Sequence, residues 1–323
     1  MDSLSGVVLL AHDGQSIYSL AAGFADRAKR LPNRPDTKFN LASVDKYFTR
    51  IAIWQLSQAG KVATSDTVGR FLPDYPNAEV RAKVTIGQLL SMRSGMGDFD
   101  DDNGRTYRAA LLHLRSIDDY LSLFARDSLH FAPGTRAEYS NAGYVVLGKI
   151  IERASGESYY DYVRRHIFEP AGMRNTGYFT RGAEVRNMAT GYTVDPIVVG
   201  DTNPNATPLK ERRPNTSLLA FRGSSAGGGY STAEDLLNLS RALFSHRLLG
   251  VAFTDSLMRF RNTGPGKFDW DGWLGGAEGI NTLFLLSSTG HTLIVLSNYD
   301  PPSANVYRPK LWEQWLPQWL RRQ

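Results

Sequence analysis

The segment from Phe39 to Lys46, with the sequence FNLASVDK, is the part of this 323-residue chain on which its fold and chemistry depend. Apolar side chains then recur at steps of three and four residues over positions 48–56, and Gly60 ends the pattern. This spacing predicts an amphipathic helix over residues 43–59. Ser43 and Lys46 would lie one helical turn apart on the same face, where the lysine amine can reach the serine hydroxyl.

Ser43 and Lys46 have the chemistry of a nucleophile and its base. A serine hydroxyl attacks a carbonyl carbon when a neighbouring group takes its proton, and a lysine amine can do so when burial or nearby positive charge lowers its pKa. The helix N-terminus would favour the negative charge that develops. A serine three residues before a lysine also occurs about once by chance in a chain of this length. The alternative is therefore a helix-capping serine beside a surface lysine.

A second segment, Tyr139-Ser140-Asn141, precedes an apolar pattern that predicts a helix over residues 141–154. The Tyr139 phenol can relay a proton between Ser43, Lys46 and a leaving group. The Asn141 amide can orient the lysine and a substrate carbonyl. The simpler alternative is that Tyr139 is a buried aromatic residue and Asn141 a helix cap.

A third segment, Trp273-Leu274-Gly275-Gly276, comes before Gly279 and an apolar strand that begins at Thr282. Glycines beside a strand let a substrate approach the backbone closely, and a free amide there can donate to an oxyanion. Gly275 and Gly276 are therefore candidate substrate-binding residues. The alternative is that the glycines only form a turn between two strands.

Strand patterns lie at both ends of the chain. Residues 6–23 predict a β-hairpin that turns at Asp13-Gly14, and residues 281–298 predict another that turns at Thr289-Gly290. Helical patterns lie between them, over residues 86–92, 105–126, 141–154 and 233–244. We therefore predict an α+β fold in which residues 1–60 and 224–323 form one antiparallel sheet flanked by helices. Residues 61–223 would be a mostly helical inserted subdomain, with the active site between the two parts.

Two further segments complete the predicted organisation. Residues 182–223 are rich in Asn, Pro, Thr and Arg without a clear period, which indicates a long ordered excursion over the surface. A last helix over about residues 306–320 carries Trp312, Trp315 and Trp319. This stripe favours packing on the sheet over lying in a membrane interface, and Pro317 predicts a kink or an early end.

Composition argues against several kinds of site. There is no Cys, which excludes disulfides, thiol nucleophiles and zinc–cysteine sites, and the net charge of +5 is scattered, which argues against a nucleic-acid partner. No apolar stretch reaches the roughly 18 residues of a membrane span, and no basic region of a signal peptide precedes the first strand. The acidic cluster of Asp98 and residues 100–102 lacks the glycine and distal glutamate of a calcium loop, so we interpret it as a solvated loop. Neither a metal nor an organic cofactor is predicted.

In this order, the three segments resemble the signature of the serine β-lactamase and penicillin-binding protein superfamily. That signature is Ser-x-x-Lys, then Tyr-x-Asn, then a Lys-Thr-Gly or His-x-Gly strand. The resemblance extends over nearly the whole chain and implies a β-lactamase/transpeptidase-like fold. The segments similar to the class C and esterase branch are residues 39–42 (FNLA), 47–49 (YFT), 86–95 (IGQLLSMRSG), 131–134 (FAPG), 225–232 (SAGGGYST) and 295–300 (VLSNYD).

The sequence departs from the superfamily pattern in two respects. It starts at the first strand, where the family usually has a preceding helix. In addition, Trp273 and Leu274 stand where the family has a Lys or His and a small residue. A cation there would hold the carboxylate of a β-lactam or D-alanyl peptide, and Trp273 cannot. The segment is similar to the Trp-Gly-Gly variant of family VIII carboxylesterases, whose aromatic wall should favour neutral acyl groups because burying an unpaired carboxylate is costly.

The resemblance implies a serine hydrolase that forms an acyl-enzyme on Ser43, which water then releases. Lys46 would be the principal base, and Tyr139 would pass the proton to the leaving group. Asn141 would orient the substrate, Trp273 would line the pocket, and the backbone amides of Ser43 and Gly276 would form the oxyanion hole.

The predicted partner is a small-molecule ester or amide substrate, and a carboxylesterase acting on small neutral esters is the expected activity. The alternatives are a β-lactamase, D,D-peptidase or D-aminopeptidase using the same residues, and a sensing module that acylates slowly or not at all. The resemblance slightly favours a periplasmic or secreted location.

Overall fold

A computed structural model describes residues 4–99, 104–199, 206–258 and 270–305. Both kinds of regular structure are spread along the chain. The strands are β1 (Gly6–His12), β2 (Gln15–Ala22), β3 (Phe24–Asp26), β4 (Leu31–Pro32), β5 (Phe39–Asn40), β6 (Tyr192–Thr193), β7 (Arg213–Pro214), β8 (Tyr230–Ser231), β9 (Trp270–Ala277), β10 (Ile280–Ser287) and β11 (His291–Ser297). The helices are α1 (Lys46–Gln58), α2 (Val68–Phe71), α3 (Ala78–Lys83), α4 (Ile86–Leu90), α5 (Arg105–Ala110), α6 (Ile117–Leu121), α7 (Asn141–Ser155), α8 (Tyr159–Val163), α9 (Glu169–Ala171), α10 (Ala233–Phe244) and α11 (Val251–Leu257).

The large sheet is antiparallel and is built from both ends of the chain, in the order β2-β1-β11-β10-β9. The first hairpin turns at Asp13 and Gly14, which both have positive φ (46° and 72°), as a two-residue turn of the I′ type requires. Strands β1 and β11 then pair at the centre of the sheet, with Leu9 opposite Ile294. The predicted α+β class, the sheet from both chain ends and both hairpins are therefore confirmed.

The core lies mainly on the face of the sheet that carries the helices. Leu9, Ile294 and Phe284 point to this face, where they join side chains of α1 and α7 in one buried cluster. The alternate residues of the same strands, such as Val8 and Leu283, form a smaller cluster on the other face. Each buried side chain of this size contributes about 1.5–3 kcal/mol, so the helical face supplies most of the packing energy.

Helix α7 shows how local sequence positions the site. Ser140 caps it by accepting a hydrogen bond from the Gly143 amide at 3.0 Å, and Gly156 ends it with a φ of 80°. The prediction of a helix over residues 141–154 is confirmed, and Ser140 rather than Asn141 is the cap. Asn141 is therefore the first residue of the helix, and its side chain is available to the site.

Some predicted elements differ from the structure. The pattern over residues 105–126 forms two short helices, α5 and α6, because Ser116 and Asp119 make a capping box that starts a new helix. The predicted helix over residues 43–59 begins with a 3₁₀ turn, Ala42–Asp45, before α1. The excursion over residues 182–223 contains the short strands β6 and β7 in its described part. The predicted helix over residues 306–320 lies outside the described residues.

In the described part of the chain, the large sheet and most of the helices come from different ranges of residues. The strands of the large sheet come from residues 6–22 and 270–297, and helices α2 to α9 come from residues 61–223. The domain division at residues 60 and 224 stays a prediction. Within the described ranges, no helix combines the length and apolarity needed to cross a bilayer.

Candidate active site

Ser43 lies in the 3₁₀ turn that precedes α1. Side chains of β10 and β5 hydrogen-bond to the backbone of this segment. The Thr282 hydroxyl on β10 donates to the Leu41 carbonyl at 2.7 Å, and the Asn40 side chain accepts from the Ala42 amide at 2.9 Å. Ala42 has a φ of 44°, a left-handed conformation that is costly for a residue with a Cβ. Strain of this kind persists only where the surroundings enforce it, so the turn that presents Ser43 is fixed by its neighbours.

The structure brings Ser43, Lys46 and Tyr139 together, although Tyr139 is 96 residues away in the chain. The Ser43 and Tyr139 hydroxyls are 2.6 Å apart, and the Lys46 amine donates to the Ser43 hydroxyl at 3.0 Å. The predicted spacing argument for Ser43 and Lys46 therefore matches the observed contact. A nucleophile and its base need this reach of about 2.6–3.2 Å.

Lys46 is fully buried, with 0% of its surface exposed. Its amine also donates to the Asn141 side-chain oxygen and to the Ala226 carbonyl, both at 2.6 Å. The Tyr139 ring centroid lies 4.9 Å from the same nitrogen. A buried amine needs such acceptors because an unsatisfied polar group inside a protein is costly, so Lys46 is not the surface lysine of the alternative interpretation.

Tyr139 lies just before α7, and Asn141 is the first residue of that helix. The Tyr139 side chain contacts Ser43, and the Asn141 side chain contacts Lys46. Tyr139 is 49% exposed, so it is not the buried aromatic residue of the alternative interpretation. The hydroxyl of Tyr139 donates to the Asn141 side-chain oxygen at 3.3 Å. That amide oxygen thus accepts from both Tyr139 and Lys46, and it links the two groups that contact Ser43.

Asp98 holds Asn141 from the other side. One oxygen of its carboxylate accepts from the Asn141 backbone amide and from the Asn141 side-chain amide, both at 2.8 Å. Our interpretation of Asp98 as part of a solvated loop is wrong, because the residue contacts the site through α7. Asp98 is 43 positions away from Asn141, and no local pattern in the sequence indicates this contact.

The third segment lies in β9, at the edge of the sheet beside the Ser43 turn. Gly276 lines the cavity described below. An added Cβ at Gly275 would overlap the Thr282 hydroxyl and the Leu41 carbonyl oxygen, so this glycine lets β9 approach the Ser43 turn. The sequence predicts substrate binding for Gly275, whereas the structure packs this residue against the Ser43 turn.

Trp273 does not line the cavity, contrary to our expectation. Its ring packs edge-to-face against Tyr144, with centroids 5.6 Å apart, and lies 5.8 Å from the Arg50 guanidinium. Arg50 in turn pairs with Asp271 at 3.6 Å, and Tyr47 donates to the same carboxylate at 2.8 Å. The segment that carries a cation in the family signature therefore supplies an aromatic ring above a buried ion pair.

Asp45, between the serine and the lysine in sequence, points away from them into the protein. It is fully buried, and one carboxylate oxygen accepts from the Gly229 backbone amide. Burial raises the pKa of Asp45 to about 7, because the charged form loses its hydration. The contact fixes the segment before β8, whose Ala226 carbonyl accepts from Lys46. Asp45 was not singled out from the sequence, and its place between Ser43 and Lys46 was the available signal.

A cavity of about 1280 Å³ opens at Ser43. Its walls combine aromatic and aliphatic side chains with a few charged groups, which is the usual composition of a small-molecule site. The described part of the chain contains no group of three or more His, Asp or Glu side chains arranged to hold a metal. Lining residues that matter for charge and size are Phe99, Tyr107, Arg108, Arg181, Asp195 and Glu278.

The fold is that of a class of serine hydrolases. A penicillin-binding protein from Bacillus halodurans has the same fold, with a TM-score of 0.78 and 30% identity, and the match covers 94% of both chains. The D-amino acid amidase from Ochrobactrum anthropi SV3, complexed with D-phenylalanine, has a TM-score of 0.73 and 26% identity, and the match covers 92% of this chain and 87% of the amidase.

The chain belongs to the beta-lactamase family, whose model matches residues 1–314. PbpX of Bacillus subtilis (strain 168) is 29% identical over 301 residues, which cover 90% of this chain and 70% of PbpX. Other curated relatives are longer, and this chain spans 37% to 55% of their length. The resemblance inferred from the motifs, the β-lactamase/transpeptidase-like fold and the class of serine hydrolase are therefore confirmed.

Proposed function

We propose that this chain is a carboxylesterase that transfers the acyl group of small neutral esters to water through a covalent intermediate on Ser43. The observation that carries the proposal is the contact of the Ser43 hydroxyl with Tyr139 at 2.6 Å and with Lys46 at 3.0 Å, at the opening of a cavity. A hydroxyl with a base and a second proton carrier in reach has the geometry that nucleophilic catalysis needs.

The partners of Lys46 support its role as the principal base. Two of them, the Asn141 side-chain oxygen and the Ala226 carbonyl, can only accept hydrogen bonds. A neutral amine has two N–H groups and one lone pair. When both N–H groups of the neutral amine serve these acceptors, its lone pair is left for Ser43, and the contact reverses so that the Ser43 hydroxyl donates to the amine, as a base requires.

In the acylation step, the Ser43 oxygen bonds to the ester carbonyl carbon while its proton passes to Lys46, directly or by way of Tyr139. The carbonyl oxygen becomes an oxyanion, for which the backbone amides of Ser43 and Gly276 are the predicted donors. The bond to the alcohol oxygen then breaks, the carbonyl re-forms, and the leaving alcohol takes a proton from Tyr139, which recovers the proton held by Lys46. Water repeats the sequence on the acyl-enzyme and releases the acid.

The preference for neutral esters is supported by the charges around Ser43. Strand β9 presents no cation there, since Trp273 packs on Tyr144 and Arg50 is engaged by Asp271. The cations that line the cavity, Arg108 and Arg181, belong to the helical part of the chain. A substrate carboxylate held beside Ser43 would therefore lack the partner that the family signature provides.

Cleavage of an amide that carries a free amino group is the second candidate. Asp195 and Glu278 line the cavity, and a carboxylate is the natural partner of a substrate ammonium group. The similarity to a D-amino acid amidase agrees with this alternative. A β-lactamase or D,D-peptidase, and a sensing module that acylates slowly, stay further alternatives.

A burst experiment tests the proposal. Short-chain p-nitrophenyl esters should give a rapid release of nitrophenol equal to the enzyme concentration, followed by slower turnover. Ser43→Ala should abolish both phases, whereas Ser91→Ala, a change at an exposed serine, should leave them unchanged. A fluorophosphonate should form one covalent adduct per wild-type chain, at Ser43, which intact-protein mass spectrometry detects. Turnover that survives in Ser43→Ala would refute the mechanism, and an absent adduct would favour the sensing module.

A substrate panel tests the preference. We expect kcat/KM for neutral esters to exceed that for β-lactams and D-amino-acid amides, and Trp273→Lys to raise the rate for carboxylate-bearing substrates. Trp273→Phe, which keeps an aromatic ring without charge, is the matched control. Faster cleavage of lactams or amides by the wild-type chain would reverse the ranking.

A further inference from the structure

We propose that Asp98 is a positioning residue that sets the orientation of the Asn141 amide, so that its oxygen faces Lys46 and Tyr139. The inference rests on the proposed function, because the oriented groups are those that handle the Ser43 proton. Asp98 reaches these groups through Asn141, whose backbone and side-chain amides both donate to its carboxylate.

The contacts of the Asn141 side chain define the orientation. Its NH₂ group donates to Asp98 at 2.8 Å, and its oxygen accepts from Lys46 at 2.6 Å and from Tyr139 at 3.3 Å. A carboxylate can only accept hydrogen bonds, and a lysine amine mainly donates them. Each end of the amide therefore faces a group of the opposite hydrogen-bonding kind.

A flipped amide would reverse these contacts. The Asn141 oxygen would then face the Asp98 carboxylate, and its NH₂ group would face the Lys46 amine and the Tyr139 hydroxyl. Lys46 would lose one of the acceptors that direct its lone pair toward Ser43. Burial makes such an unmatched contact costly, so Asp98 selects the orientation that keeps Lys46 ready to accept a proton.

Asp98 is itself held in place by the start of α7. Its carboxylate also accepts from the Asn141 backbone amide at 2.8 Å and from the Phe99 amide at 2.9 Å. Its neighbour Gly97 accepts from the Ser140 hydroxyl at 2.8 Å. A carboxylate at a helix N-terminus is stabilised by the orphan amides and the helix dipole. The segment therefore presents the carboxylate to Asn141 in one position.

Three variants separate positioning from a structural role. Asp98→Ala should slow acylation about 10–100-fold with KM within about twofold, because the reacting groups are misplaced while the cavity is intact. Asp98→Asn should restore the rate to within about threefold, since it keeps an acceptor oxygen of the same shape. In an Asn141→Ala background, Asp98→Ala should cause no further loss. Asp74→Ala, at an exposed aspartate, is the control.

The orientation can also be measured without turnover. In the wild-type chain, the side-chain amide protons of Asn141, assigned by their loss in Asn141→Ala, should exchange slowly with solvent. Asp98→Ala should make them exchange rapidly, and Asp98→Asn should retain protection. If the wild-type chain forms no acyl-enzyme, the proposed function fails and this exchange measurement alone decides the orientation. Three results would overturn the inference. They are an acylation rate of Asp98→Ala equal to that of the wild type, a further loss of rate when Asp98→Ala is added to Asn141→Ala, and an Asn141 amide-proton exchange rate that Asp98→Ala does not change.

Discussion

The buried carboxyl of Asp45 should make the stability of the protein depend on pH in a direction opposite to that of most carboxylates. In the folded chain its pKa is raised to about 7, whereas an unfolded chain ionises near the ordinary value of 3.8. Its contribution to stability is therefore complete below pH 3.8. That contribution is lost as the pH rises to about 7, because the unfolded state gains from ionising while the folded state cannot.

The size of the effect follows from the two pKa values. Each tenfold change in proton affinity is worth about 1.4 kcal/mol, so the rise from 3.8 to about 7 corresponds to about 4 kcal/mol. Asp45→Asn keeps the shape and an acceptor for the Gly229 amide but cannot ionise. Relative to the wild type, its free energy of unfolding should therefore increase by about 4 kcal/mol between pH 4 and pH 8.

Denaturant unfolding of both proteins at several pH values between 4 and 8 measures this difference. The comparison uses the difference between the two proteins, so titrations elsewhere in the chain cancel. Asp74→Asn, at an exposed site, should show no such pH dependence. A difference between Asp45→Asn and the wild type that stays constant within about 1 kcal/mol over this range would refute the reasoning, because it would mean that Asp45 ionises alike in both states.

Three further changes test other parts of the site. Gly275→Ala should destabilise the protein by about 1–3 kcal/mol in thermal unfolding, because the added Cβ would overlap two oxygen atoms. Gly276→Ala should destabilise it less. Equal losses of stability in the two variants would contradict the packing position of Gly275. Asp271→Asn should cost about 3–5 kcal/mol by leaving Arg50 charged and buried, and replacement of both by apolar residues should recover most of it. Tyr139→Phe should lower kcat for p-nitrophenyl esters by about 10²–10⁴-fold with little change in folding, and a rate near that of the wild type would exclude Tyr139 from proton transfer.

The parts of the fold that the sequence predicts best are governed by local chemistry. The turn at Asp13 and Gly14 needs two residues that tolerate positive φ, and the alternation on either side gives the strands. The contact of Ser43 with Lys46 follows from helical spacing, even though the first turn is 3₁₀. Where apolar spacing continues across a break, as over residues 105–126, it cannot reveal that Ser116 starts a second helix.

The rest of the site depends on contacts between distant segments. Tyr139 was predicted through the family signature, since no local rule brings it to Ser43 across 96 residues. Asp98 was interpreted as part of a solvated loop because its acidic cluster lacks the pattern of a calcium loop, and its partner Asn141 lies 43 residues away at the start of α7. Trp273 was expected in the cavity, but the direction of its side chain is decided by Tyr144 and by a buried ion pair that sequence spacing does not indicate.

The pairing of β1 with β11 joins segments about 290 residues apart, with Gly6 opposite Ser297. During synthesis, the first hairpin and the helices leave the ribosome long before the strands that complete the sheet. The turn that presents Ser43 is supported by β9 and β10, so a nascent chain lacking them has not assembled the candidate active site. Contacts of such long range slow folding, and the exposed edge of β1 is open to wrong partners until β11 arrives. Activity should therefore appear only after the last strands have joined, and chaperones that shield strand edges should raise the yield.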